Sequence, residues 1–156
     1  MKYRYQFIDY KDGVNNLDMN FIHPNLFLLL GLVNQYCLEN DIQLQLTSMY
    51  RSEEENRRIG AKSVTHTQGR AVDISIREEL GWTYEKTQLL VDYLNQLVET
   101  EHLEEGTPNP FFEIGAISAR DKVQRPIVVH NVGHGAHIHL QVRQTAEWLD
   151  KTHRSN

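Results

Sequence analysis

The chain is short of several things, and each shortage excludes something. Only one of its 156 residues is cysteine, Cys37. No internal disulfide can form, so the fold must rest on its core, with Cys37 expected as a small apolar residue on a helix face. Basic residues are outnumbered: 16 Lys and Arg stand against 21 Asp and Glu, a net charge of -5. Without a basic stripe to neutralise phosphates, neither nucleic acid nor an anionic membrane surface is an expected partner. Long apolar runs are missing too, and the longest, residues 26–33, is far too short to span a bilayer. Residues 1–6 hold no apolar segment of a secretory signal, so the product is expected in the cytoplasm as synthesised. There is no internal repeat, low-complexity tract or interdomain linker. This length suits one domain, residues 1–156, large enough for a real core.

One stretch stands out: Ala136-His137-Ile138-His139-Leu140-Gln141-Val142. Its alternation predicts a β-strand, with Ile138, Leu140 and Val142 on one face and His137, His139 and Gln141 on the other. Two imidazoles on one strand face can reach a single point above a sheet. His134 precedes them in a Gly133-His134-Gly135 turn able to fold over the same face. Histidine is the commonest metal ligand and the side chain that titrates nearest neutrality. Taken alone, a His-x-His is better read as a polar strand face.

A second stretch, residues 63–76, adds a carboxylate. His66 falls on a loop, and Gly69 permits a sharp turn or close backbone packing. From Arg70 to Ile76 the pattern is strand-like, with Ala71, Asp73 and Ser75 on one face and Val72, Ile74 and Ile76 on the other. Small Ala71 leaves room above the strand beside Asp73. A carboxylate within an apolar strand needs a partner, because burying an unpaired charge is costly. A metal ion, an ion pair or a hydrogen-bonded turn would each supply one. The loop-turn-strand path returns Asp73 to the neighbourhood of His66.

Other elements frame these two. Tyr3, Tyr5 and Phe7 alternate with polar residues as in an early strand, and Asp12-Gly13 marks a turn. Pro24 suits the first position of a helix covering residues 26–38. Ile42, Leu44 and Leu46 alternate as a second strand. Ser52 and Glu55 form a capping box for a short helix over residues 53–59, stopped by Gly60. Arg51 lies at that strand-to-helix junction, where a side chain can enter a site or stay on the surface. Thr83 is placed as N-cap of a helix reaching about Glu101, with Leu89, Leu90, Tyr93, Leu94 and Leu97 as its apolar stripe. Residues 127–129 form a short strand candidate, and a short helix is expected around Trp148. The expected fold is α+β: a small, mainly antiparallel sheet with the site on one face and helices packed on the other.

Together the two stretches resemble a known family. His66-x-x-Gly69-x-Ala71-x-Asp73, followed downstream by His137-x-His139, is similar to the zinc site of the M15-type murein peptidases. These belong to the group uniting lysostaphin-type enzymes, D-Ala-D-Ala carboxypeptidases and the hedgehog signalling domain. Gly69-Arg70-Ala71-Val72-Asp73-Ile74 and Ala136-His137-Ile138-His139 resemble hedgehog in particular. Thr47-Ser48-x-Tyr50-Arg51-Ser52 resembles the segment whose arginine faces the site, so the likeness spans about residues 45–143. It implies that His66, Asp73 and His139 ligate Zn2+, leaving a fourth position for water. It further implies that His137, assisted by His134, acts on that water or on developing charge, and that Arg51 holds a substrate carboxylate. The implied activity is a zinc metallopeptidase, carboxypeptidase or endopeptidase, acting as a monomer on peptidoglycan peptides. With that activity, the missing signal segment favours a phage or prophage lysis enzyme released to the wall by another factor, or a wall-degrading part of a virion.

The chain departs from the family pattern in places. Many members carry Asp or Glu three residues before the last zinc histidine, where this chain has Ala136. Hedgehog domains carry a glutamate four before the first histidine of the pair, where this chain has Gly133. Val64 stands where serine is usual, with Ser63 one position off. The departures affect the base more than the metal site, and Glu113 is the next base to consider. They also leave open a hedgehog-like metal-binding module without hydrolysis. A purely structural zinc domain is disfavoured, since only three protein ligands are apparent.

Overall fold

The computed structural model describes residues 21–61, 65–112, 114–115, 127–131 and 136–154. The strand expected at residues 3–7, the Asp12-Gly13 turn, Ser63, Val64, Glu113 and residues 133–135 lie outside them.

Helix α1, Pro24–Asn40, starts with Pro24 in its first turn, where a missing N–H costs nothing. Its N-cap is His23, whose Nδ1 accepts from the Asn25 N–H. Leu26, Leu29, Leu30, Val33 and Cys37 recur at helical spacing and are all buried. Strand β1, Leu46–Ser48, begins later than the alternation suggested. Ile42 and Leu44 are buried as expected, but the Gln43 N–H donates to the Leu80 carbonyl, off the ladder. Helix α2, Glu53–Arg58, follows the Ser52 cap, whose Oγ accepts from the Glu55 N–H. Strand β2 is Ala71–Ser75.

Helix α3, Tyr84–Glu99, begins at the expected cap, with Thr83 Oγ1 accepting from the Lys86 N–H. Its apolar stripe is rotated from expectation. Thr87, Leu90, Leu94 and Val98 are buried, whereas Leu89 is 63% and Tyr93 51% exposed. Leu97 is partly buried against the core. Only the line of residues spaced by three or four that meets the sheet is covered, and the sequence holds more apolar residues than that line needs.

Strands β3, Ile127–Asn131, and β4, Ala136–Gln141, complete a four-stranded sheet in the order β1-β2-β4-β3. Every pairing is antiparallel, so the class is α+β with an antiparallel sheet, as expected. Val72, Ile74, Ile138 and Leu140 are fully buried on one face, in a single core with the buried residues of α1 and α3. Burying each such side chain contributes roughly 1.5–3 kcal/mol. Alternation then delivers Asp73 and His139 to the other face. Helix α4, Ala146–Arg154, buries Trp148. Among the described residues no helix is long and apolar enough to cross a membrane.

Candidate metal centre

Register assembles the first half of the site. Asp73 on β2 pairs with His139 on β4 on one side and with Ser48 on β1 on the other. Directly opposite residues share a sheet face, so one rung carries a hydroxyl, a carboxylate and an imidazole.

The His66 turn supplies the second half. Arg70 N–H donates to Thr65 O at 2.8 Å and Gly69 N–H to His66 O at 3.2 Å, closing the turn on itself. Gly69 has φ +67°, and a Cβ there would collide with the Phe21 carbonyl oxygen. Both reasons for glycine anticipated at this position therefore apply. The turn is fastened from outside as well. His23 N–H donates to Gly69 O at 2.8 Å, and Trp148 Nε1–H to Gln68 O at 2.5 Å. From the other direction, Arg51 N–H donates to His66 O at 3.1 Å, and the buried His66 ring places Nδ1 2.9 Å from Met49 O.

These constraints aim three groups at one point. His139 Nδ1 lies 3.1 Å from Asp73 Oδ1, and His66 Nε2 lies 3.4 Å from Asp73 Oδ2. The two imidazoles meet edge to face with centroids 5.3 Å apart. One ligand atom from each of His66, Asp73 and His139 falls within 4.8 Å of the others, so the three could hold a metal ion.

The protonation pattern fits such an ion. Met49 O can only accept, so His66 Nδ1 carries a proton and Nε2 is the nitrogen turned inward. His139 Nε2 lies 3.0 Å from Gln141 Oε1, which likewise only accepts. Each inward nitrogen faces the Asp73 carboxylate, so each contact needs a cation between the two: a second proton on the ring, donated to Asp73, or a metal ion held by the ring's lone pair. Burial alone would push the Asp73 carboxyl up. Hydrogen bonds from His139 and His66, with their charge, outweigh it and hold the group well below the usual carboxylate range. Asp73 is therefore ionised at neutral pH and could serve as an anionic ligand.

Arg51 is built into the site's flank and is partly buried. Its guanidinium donates from one amino group to Ser48 Oγ at 2.9 Å and from the other to Asn56 Oδ1 at 3.0 Å. Ser48 is the backbone partner of Asp73, and Asn56 is the buried residue of the otherwise charged helix α2. Burial lowers the Arg51 pKa, and the charges of Asp73 and Glu55 act against that. The surface alternative for Arg51 gives way to a braced side chain within the field of Asp73.

His137 shares the β4 face with His139 but lies one rung away, paired with Ser75 on β2 and His130 on β3. It is not part of the three-residue cluster. His134 lies outside the described residues.

Sequence reasoning missed several supports. Met49 contributes through its backbone carbonyl, which leaves no trace in residue type. Asn56 was detectable as the one uncharged residue in a charged helix, and Gln141 as the next polar position on the His139 face. His23 and Trp148, which fasten the turn from remote segments, carried no local signal.

The family model for peptidase M15 matches residues 7–98, more than half of the chain. That stretch includes Arg51, His66 and Asp73 and ends before the histidine strand. No curated protein and no solved structure matches the chain. The chain belongs to the peptidase M15 family.

Proposed function

We propose that the protein is a zinc-dependent peptidase that hydrolyses peptide stems or cross-links of bacterial peptidoglycan, at bonds involving D-amino acids. The observation that carries the reading is the His66–Asp73–His139 cluster, with the outer nitrogen of each imidazole engaged by an acceptor. Two histidines and one carboxylate are the ligand set of a catalytic site, because tetrahedral zinc then keeps a position for water. When bound, zinc would lower the pKa of that water toward neutrality and polarise the scissile carbonyl.

The chain's own residues would do the rest. His66, Asp73 and His139 hold the ion. Arg51 binds a substrate carboxylate: Ser48 and Asn56 occupy one hydrogen of each of its amino groups, and the fork retains further N–H donors. His137, on the same strand face as His139, moves the proton or steadies developing charge, aided by His134. No carboxylate stands at position 136, where many relatives have their base, so histidine takes that role. In this proposal the enzyme works as a monomer, and it is a phage or prophage lysis enzyme. It is made in the cytoplasm and meets the wall after release by another factor.

The test is a zymogram on purified murein with and without chelator, followed by mass spectrometry of products from defined murein fragments. Clearing that chelator abolishes and zinc restores is expected. A protein that binds zinc yet leaves murein intact would instead be the hedgehog-like binding module.

A further inference from the structure

The two histidines of the cluster are oriented by different kinds of acceptor. His66 leans on a main-chain carbonyl, that of Met49 at 2.9 Å, which no substitution removes. His139 leans on a side chain, with Nε2 3.0 Å from Gln141 Oε1. Gln141 sits two residues further along β4 on the same face and is partly buried. Directly across from it on β2 stands Ala71, fully buried, whose single methyl leaves room for the amide to turn back along the strand. A larger residue at position 71 would compete for that space.

We infer that Gln141 is the positioning residue of the metal centre: its amide oxygen holds the His139 proton on Nε2 and so presents Nδ1 to the ion. The inference rests on the metal-binding reading and extends it to a residue outside the ligand set. The reason is tautomeric. A neutral imidazole has one proton, and a ring free to place it on Nδ1 has no lone pair for the ion on that side. An acceptor fixed at Nε2 removes that option and also fixes the ring plane. Outer partners of this kind typically affect metal affinity by about 10- to 100-fold. The opposite arrangement has a distinct signature. If the amide presented its NH2 instead, Nε2 would have to be bare, and the proton on Nδ1 would point at Asp73.

The experiment uses the full chain and zinc itself. Affinity is measured by competition with a chromophoric chelator for wild type, Gln141→Leu and Gln141→Glu. Leucine should weaken zinc about 10- to 100-fold, and glutamate, which also accepts, should hold it at least as well as wild type. In parallel, 15N NMR of the zinc-loaded wild type should find the His139 proton on Nε2. That measurement decides the matter even if Gln141→Leu folds poorly. Wild-type affinity in Gln141→Leu, or a His139 proton on Nδ1, would overturn the role of Gln141 and leave the metal centre standing. Wild type that takes up no zinc would remove both.

Discussion

Asp73 and His139 face each other across the β2–β4 ladder, with the imidazole Nδ1 3.1 Å from the carboxylate Oδ1. Neither residue would be near the other without that register. With His66 added, each of the three should be needed for metal. His66→Ala, Asp73→Ala and His139→Ala should each lose most bound zinc, read as metal content per folded chain. Chelation of the wild type should lower its thermal midpoint by simple mass action yet leave a cooperative fold, because the core is built from apolar contacts. Full zinc in all three variants would remove them as ligands. Unfolding on chelation would make the metal structural.

His137 should behave unlike His139, although both lie on one strand face. A tetrahedral ion with His66, Asp73 and one water has room for one of them. His137→Ala should keep stoichiometric zinc and near-normal stability but lose activity by about 10²-fold or more. His134→Ala should show a milder form of the same defect. Metal analysis alongside murein hydrolysis separates the roles, and zinc lost from His137→Ala would mean they are misassigned.

Arg51 and its brace make a graded prediction. Arg51→Lys keeps the charge but loses the planar fork. A hydrogen bond to a charged group is worth about 1.5–3 kcal/mol, so activity should fall by about 10- to 100-fold with zinc content unchanged. Asn56→Ala removes one of the two acceptors holding the guanidinium and should raise KM in the same direction, less severely. Activity equal to wild type in both variants would leave Arg51 without a role in substrate binding.

His23 predicts a pH dependence of stability. Burial, with a smaller contribution from the Arg70 charge, pushes its pKa down to about 4 from an ordinary 6.5. In the folded chain Nδ1 accepts from the Asn25 N–H, leaving Nε2–H to donate to Thr145 Oγ1 at 3.1 Å. Protonating Nδ1 would break the helix cap. The folded pKa is depressed, so between the two values the unfolded chain binds more protons and stability rises with pH. The contribution is full above about pH 6.5 and is lost as pH falls toward and through about 4. Its size is on the order of 2–3 kcal/mol. Chemical unfolding across that window should show a steeper loss in wild type than in His23→Asn, which keeps a capping acceptor but does not titrate. Parallel curves would exclude His23 as the source.

Much of this protein follows from local rules that residue order alone satisfies. Alternation with period two put Ile138 and Leu140 into the core and His139 out of it, and did the same for Val72, Ile74 and Asp73. Side-chain caps at Ser52 and Thr83 started their helices where the residues stood, because a cap needs only the next turn. Gly69 marked a tight place through its missing Cβ.

Tertiary structure decided what depends on partners far along the chain. Which residue of β4 faces Asp73 is a matter of register, and a one-residue slip would have turned His139 toward the core. The rotation of α3 was settled by which line of side chains met the sheet, leaving Leu89 and Tyr93 outside. Strand β1 begins only at Leu46, and ahead of it the Gln43 N–H goes to the carbonyl of Leu80, a partner far along the chain. The aim of His66 came from Met49, Arg51, His23 and Trp148, four residues brought to its turn by three separate segments. Met49, Arg51 and His23 act there through backbone carbonyls and amides, which every residue carries, and the Trp148 indole acts from a segment about eighty residues away in sequence, so local residue identity could not announce them.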